Sequence, residues 1–76
     1  MNNDIIFYAF RYALGRKTYV VSDVCNYLYQ NWSQLNEQTQ ETIIKEIKKY
    51  LKSEEDRFSD INITWQRLLN VLNKGD

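Results

Sequence analysis

Apolar residues recur at intervals of three and four positions in four stretches of the chain. This spacing places side chains on one face of an α-helix, whereas strict alternation marks a half-buried strand. Alternation occurs only in the short stretch Ile61, Ile63, Trp65. The pattern therefore predicts an all-α protein: a small, single-domain bundle of three to four helices that spans residues 1–76.

The first predicted helix starts after Asn2, Asn3 or Asp4, because their side chains can accept hydrogen bonds from the free amides of a first turn. It ends at Gly15, since glycine readily takes the left-handed conformation that follows many helices. The residues expected in its buried stripe are Ile6, Phe10, Ala13 and Leu14.

The second helix has two possible starts, at Thr18 or one turn later at the Ser22–Asp23 pair, and the sequence leaves this choice open. It runs towards Trp32. Its expected buried residues are Val21, Val24, Cys25, Leu28 and Trp32.

The third helix is expected to open near Asn36 and to continue to about Ser53, and the fourth to follow the capping pair Ser59 and Asp60 and to end at Gly75. Both segments are strongly amphipathic. The residues expected in their buried stripes are Ile43, Ile44, Ile47, Tyr50 and Leu51 in the third helix, and Ile61, Trp65, Leu68, Leu69 and Leu72 in the fourth.

The composition excludes several functional classes. Ten basic and ten acidic residues give a net charge of zero, so a polyanion could be held only by a local patch. Without histidine the chain cannot build a Ser/His/Asp or Cys/His nucleophile system, and its two glycines cannot form a phosphate-binding loop. We therefore expect a non-enzymatic protein without a cofactor.

A single cysteine indicates a reducing compartment, so we expect a cytoplasmic protein. The apolar run 5–10 is shorter than the core of a signal peptide or a membrane span, so neither export nor a membrane partner is expected. Cys25 lies in an apolar stripe, which favours an inert, buried thiol. The carboxylates Glu54, Glu55, Asp56 and Asp60 could form a cation site, but adjacent charges in a connection are usually solvated, so no metal is expected.

The segment around Gly15 is rich in tyrosine and in basic residues. If the core takes Phe10, Ala13 and Leu14, the remaining face carries side chains suited to a protein interface, to phosphate or to stacked bases. The alternative is that the tyrosines are half-buried packing residues and that Arg11 pairs with a carboxylate such as Asp23. The candidate binding residues are Tyr8, Arg11, Tyr12, Arg16, Lys17 and Tyr19.

A small domain with this many aromatic residues gains stability by self-association, so another protein, including a second copy, is the leading partner. Val20, Tyr27 and the Tyr12 side of the first helix lie off the main stripes and are the expected homodimer surface. The second hypothesis is that a nucleic acid or a phosphorylated small ligand binds to Arg11, Arg16 and Lys17.

The third helix carries Lys45, Lys48, Lys49 and Lys52 opposite its apolar stripe. A helix-turn-helix reading is disfavoured by the absence of glycine from the preceding connection and by the zero net charge. Glu41 and Glu46 are expected to pair with Lys45, Lys49 or Tyr50. The sequence thus favours a solvated lysine face.

The run Phe10–Val21, which reads FRYALGRKTYVV, with Trp32 and the segment Ile43–Ile47 downstream, resembles a family of small uncharacterised proteins of bacterial phages, prophages and mobile elements. The similarity covers most of the chain and is specific in the ALGR turn. It implies a small cytoplasmic accessory protein that acts on host machinery or defence. It carries over no site residue.

Overall fold

The computed structural model describes residues 3–53 and 59–74. These ranges contain four α-helices and no strand, which confirms the predicted all-α bundle. The helices are α1 (Asn3–Ala13), α2 (Val20–Asn31), α3 (Glu37–Ser53) and α4 (Asp60–Lys74), and a 3-10 turn (Trp32–Gln34) follows α2.

The helices pack in the ring order α1, α2, α4, α3, so that α1 and α4 each contact both α2 and α3. The side-chain Oδ1 of Asn3 accepts a hydrogen bond from the backbone N–H of Asn36, which brings the beginnings of α1 and α3 together. A groove between α2 and α4 is lined by Val21 and Ile61 at one end. Successive helices therefore run up and down, and the beginnings of α2 and α4 meet at the end of the bundle where α1 ends.

The connection between α1 and α2 is shaped by Gly15. Its φ angle of +91° is in the left-handed region, as predicted for this position. Leu14 N–H still donates to the Phe10 carbonyl, and Arg16 N–H then donates to the Ala13 carbonyl, so two of the last carbonyls of α1 are satisfied. At the other end α1 begins with Asn3; the alternative start Asn2 lies outside the described residues.

The start of α2 corresponds to the earlier of the two predicted positions. Val21 N–H donates to the Thr18 carbonyl and Asp23 N–H donates to the Tyr19 carbonyl, so the Ser22–Asp23 pair lies inside the first turn. No side chain caps this end. Backbone turns, rather than a capping hydroxyl, therefore begin the helix.

Side chains cap α3 and α4 as the sequence predicts. Asn36 Oδ1 accepts a hydrogen bond from Thr39 N–H at 2.8 Å, and Ser59 Oγ accepts one from Asn62 N–H at 3.3 Å. The predicted end of the fourth helix at Gly75, and the acidic residues 54–56, lie outside the described residues.

The core is centred on an edge-to-face contact between Phe10 and Trp65, whose ring centroids are 5.8 Å apart at an interplanar angle of 88°. This contact joins α1 to α4 across the middle of the bundle. The buried apolar residues are Ile6, Phe10, Ala13, Val21, Val24, Cys25, Leu28, Leu35, Ile43, Ile47, Leu51, Trp65, Leu68, Leu69 and Leu72.

The predicted stripes differ from this core at their edges. Five residues expected to be buried are only partly so and pack against the edge of the core; they are Leu14, Trp32, Ile44, Tyr50 and Ile61. Leu35, which belongs to no predicted stripe, is buried in the connection before α3. Asn62 is fully buried, and its Oδ1 accepts a hydrogen bond from the Tyr50 hydroxyl at 2.8 Å. This bond offsets the cost of burying the amide oxygen.

A candidate protein-interaction surface on the first helix

Helix α1 carries an apolar stripe on the side that faces solvent. Ile5, Tyr8 and Tyr12 are 59%, 72% and 57% exposed, and their spacing of three and four residues places them on one face of the helix. The buried residues Ile6, Phe10 and Ala13 occupy the opposite side. α1 is thus apolar on two sides, of which the bundle covers one.

Arg16 extends this stripe beyond the end of α1. Its guanidinium carbon lies 4.2 Å from the centroid of the Tyr12 ring, and its Nε donates to the Tyr12 carbonyl at 2.9 Å. The two contacts hold the guanidinium over the aromatic ring, which is a favourable cation–π arrangement. We call the four residues Ile5, Tyr8, Tyr12 and Arg16 the α1 face.

Sequence reasoning identified three members of the α1 face and missed Ile5. The signal was present, since Ile5, Tyr8 and Tyr12 follow the same i, i+3, i+7 spacing as a core stripe. A helix with two such stripes can bury either one. The packing of Phe10 against Trp65 decides which side faces the core.

Arg11 lies beside the α1 face but is engaged elsewhere. Its Nη1 donates to Glu46 Oε1 on α3 at 2.6 Å, in an ion pair whose arginine side chain is 53% exposed. The expectation that Arg11 pairs with a carboxylate is confirmed, but the carboxylate is Glu46 and not Asp23. The expectation that Glu46 pairs with Lys45, Lys49 or Tyr50 was wrong. The parallel run of α1 and α3 brings Arg11 and Glu46 together, and sequence spacing gives no sign of this.

Lys17 and Tyr19 lie apart from the α1 face. Lys17 Nζ donates to the Tyr50 hydroxyl at 3.3 Å and sits 5.9 Å from the centre of that ring. Tyr50 in turn donates to Asn62, so Lys17 extends a polar chain into the end of the bundle. Tyr19 is 92% exposed in the connection before α2. The six predicted binding residues therefore do not form one continuous surface.

An open groove of about 580 Å³ lies beside Tyr19, where the connection from α1 meets the beginnings of α2 and α4. Its walls combine apolar carbon from Val21 with hydroxyl groups and one carboxylate. The lining includes a positive group, Lys17, and a negative group, Asp60, so the groove selects no single class of ligand. The lining residues are Lys17, Thr18, Tyr19, Val21, Ser22, Asp60, Ile61 and Thr64.

The predicted self-association residues differ in exposure. Tyr12 faces solvent, whereas Val20 and Tyr27 are half-buried and pack against the core. They lie off the main stripe of α2, but its flanks are covered by neighbouring helices. Among the described residues of this half, α1 exposes three large apolar side chains, Ile5, Tyr8 and Tyr12, whereas α2 exposes one, Tyr29.

The thiol of Cys25 is buried, as expected, and this burial raises its pKa to about 12. The group stays protonated near neutral pH and is not an activated nucleophile. Among the described residues, no three or more acidic or cysteine side chains gather to hold a metal ion. Asp60 is the one member of the predicted carboxylate cluster that lies in the described residues, so this finding covers Asp60 and not residues 54–56. No helix in the ranges described has the length and apolar character needed to cross a membrane.

Comparison with protein families, with curated proteins and with solved structures gives no match to this chain.

Proposed function

We propose that this chain is a non-enzymatic interaction protein that binds a partner protein through the α1 face. The observation that carries the proposal is the solvent-facing stripe of Ile5, Tyr8 and Tyr12 on a helix whose other side is fully packed. Covering such a stripe removes apolar surface from water, and contiguous exposed apolar surface is typical of binding sites.

The chemistry of the α1 face favours a protein as the partner. Tyrosine and arginine are enriched among the residues that dominate binding energy at protein interfaces. The spacing i, i+3, i+7 matches the anchors by which a helix docks into an apolar groove. Because Arg16 already stacks on Tyr12, less side-chain freedom is lost when a partner binds.

Binding of a nucleic acid or a phosphorylated small ligand to Arg11, Arg16 and Lys17 is the less favoured hypothesis. Glu46 compensates the charge of Arg11, and Lys17 lies against Tyr50 rather than beside Arg16. Arg16 and Lys17 together offer at most two phosphate contacts, whereas a polyanion site needs several.

A second copy of the chain is the simplest partner of the α1 face. Two copies related by a two-fold axis would bury two copies of the stripe against each other. Sedimentation at several loading concentrations tests this: we expect association that Tyr12→Glu abolishes and Tyr29→Glu does not. A single monomeric species up to high micromolar concentration would assign the α1 face to a foreign protein.

The resemblance to phage and mobile-element proteins supports a setting for this function. In that setting the chain works in the cytoplasm, where a free thiol such as Cys25 stays reduced, and a partner other than a second copy would be a host protein. Inhibition of host machinery or defence by occupying a surface requires no catalytic group.

Native mass spectrometry of the tagged chain, purified from the cell that naturally makes it, tests the proposal. We expect a co-purifying protein that is lost from a Tyr8→Ser/Tyr12→Ser variant. Tyr29→Ser is the matched control, because Tyr29 is 58% exposed but lies on α2. Loss of the partner in the control as well, or a bound nucleotide in place of a protein, would contradict the proposal.

A further inference from the structure

The second half of α3 presents four exposed lysines, Lys45, Lys48, Lys49 and Lys52, which we call the α3 lysine face. They occupy an arc of about 100° on the helix, opposite the buried residues Ile43, Ile47 and Leu51. In the part of the chain that the structure describes, none of the four forms an ion pair. This is a concentrated positive surface on a chain whose net charge is zero.

Among the described residues, the carboxylates of α3 nearest in sequence to these lysines do not pair with them. Glu46 is turned to Arg11 on the neighbouring helix. Glu41 precedes Lys45 by one turn, a favourable spacing for an ion pair, but the two groups are not within ion-pair distance among the described contacts. The ion pairs that the sequence predicts between the lysines of α3 and Glu41 or Glu46 are therefore not formed.

The helix dipole explains little of the arrangement. A positive charge is favoured near the carboxyl end of a helix, but the effect is confined to about the last turn. Lys52 lies in that turn of α3. The positions of Lys45 and Lys48, further back along the helix, have no such explanation.

We propose that the α3 lysine face binds the phosphate backbone of a nucleic acid duplex. Lysines act as point charges towards phosphate and give affinity without reading the sequence. The seven steps along the helix from Lys45 to Lys52 rise by about 10 Å, a length over which a duplex presents several phosphates.

Two features of α3 select the duplex over other anionic partners. Single-stranded nucleic acid is held by stacking on aromatic side chains, and Tyr50 is turned away from the lysines towards Asn62. Insertion into a membrane surface needs the apolar side of an amphipathic helix, and in α3 that side is buried in the core. The lysines lie on α3, whereas the α1 face lies on α1 and at its end, so the two proposals rest on different residues.

Fluorescence anisotropy with a short mixed-sequence DNA duplex, between about 50 and 200 mM salt, tests the proposal. Four phosphate contacts predict that log K falls with log salt with a slope of roughly −3 to −4. In Lys48→Gln/Lys52→Gln the slope should become shallower by about 2. The control Arg16→Gln/Lys17→Gln removes the same charge elsewhere and should keep the slope of the unmodified chain.

All four substitutions are at exposed positions, so circular dichroism should be unchanged and loss of binding cannot be attributed to unfolding. The single strand of the same sequence and vesicles of anionic lipid are measured in parallel, and both should bind more weakly than the duplex. Absence of duplex binding at the lowest salt, equal slopes in the two variants, or tighter binding of either alternative probe would overturn the proposal. The Tyr8→Ser/Tyr12→Ser variant, which changes only the α1 face, should retain duplex binding. A failure of the proposed protein binding would therefore leave the duplex result unchanged.

Discussion

Arg11 on α1 donates to Glu46 on α3 at 2.6 Å, and this ion pair defines both candidate surfaces. It occupies Arg11, so that aromatic and aliphatic groups dominate the α1 face. It also withdraws Glu46 from the lysines of its own helix. One contact between two parallel helices therefore separates an apolar surface from a positive one.

The contribution of this ion pair to stability should be small, because Arg11 is half-exposed and water screens the interaction. A double-mutant cycle with Arg11→Gln and Glu46→Gln, measured by chemical denaturation, should give a coupling energy below about 1 kcal/mol. A coupling of several kcal/mol would mean that the pair holds α1 against α3, rather than only setting the charge of the two surfaces.

The contact between Phe10 and Trp65 should carry a large share of the stability. Both side chains are fully buried, so Phe10→Ala and Trp65→Ala should each cost about 3 to 5 kcal/mol and yield unfolded or aggregated protein. Tyr29→Ala, at an exposed position, should change the free energy of unfolding by about 0.5 kcal/mol or less. Unchanged melting temperatures in both core variants would show that the core is centred elsewhere.

The helical architecture and most of the core follow from the sequence, because the stripes of α1 and α4 have clear periodicity and the caps Asn36 and Ser59 are good capping residues. Gly15 marks the first connection for the same kind of reason, since its left-handed backbone suits glycine. All of these features are determined by residues that are close together in the sequence.

The features that sequence reasoning missed depend on contacts between helices. Asn62 is buried because α3 brings the Tyr50 hydroxyl to it, and Arg11 finds Glu46 because α1 and α3 run parallel. The exposure of Ile5 likewise depends on which of two apolar sides α1 turns inward. No spacing along one helix contains that information.

Replacing Gly15 should cost stability through the backbone alone. A Cβ at this position would lie 4.0 Å from Cε1 of Tyr50, which is an ordinary contact, but the φ of +91° is strained for a side chain. Gly15→Ala should therefore destabilise the protein by about 1 to 2 kcal/mol in chemical denaturation. Gly15→Asn should cost less, because asparagine tolerates this region better. Equal stability of Gly15→Ala and the unmodified chain would show that the turn takes another conformation in solution.

The buried thiol of Cys25 predicts a specific loss of stability in alkali. Its pKa is about 12 in the folded chain, whereas the unfolded thiol titrates near about 8.5. The contribution of the buried thiol to folding stability is therefore complete below the pKa of the unfolded chain, and it is lost as the pH rises from there towards 12. Between about pH 8 and pH 10, the unmodified chain should lose about 1 to 2 kcal/mol more stability than Cys25→Ala. Parallel pH profiles of the two proteins would indicate an exposed, freely titrating thiol.

The binding role of the α1 face is tested most directly by placing a photo-crosslinking phenylalanine analogue at Tyr8, Tyr12 or Tyr29 in the cell that naturally makes the chain. Tyr12 and Tyr29 are 57% and 58% exposed, so the analogue is equally accessible at both positions. We expect protein adducts of defined mass from positions 8 and 12 and none from position 29. Equal adducts from all three positions, or adducts from position 29 alone, would contradict it.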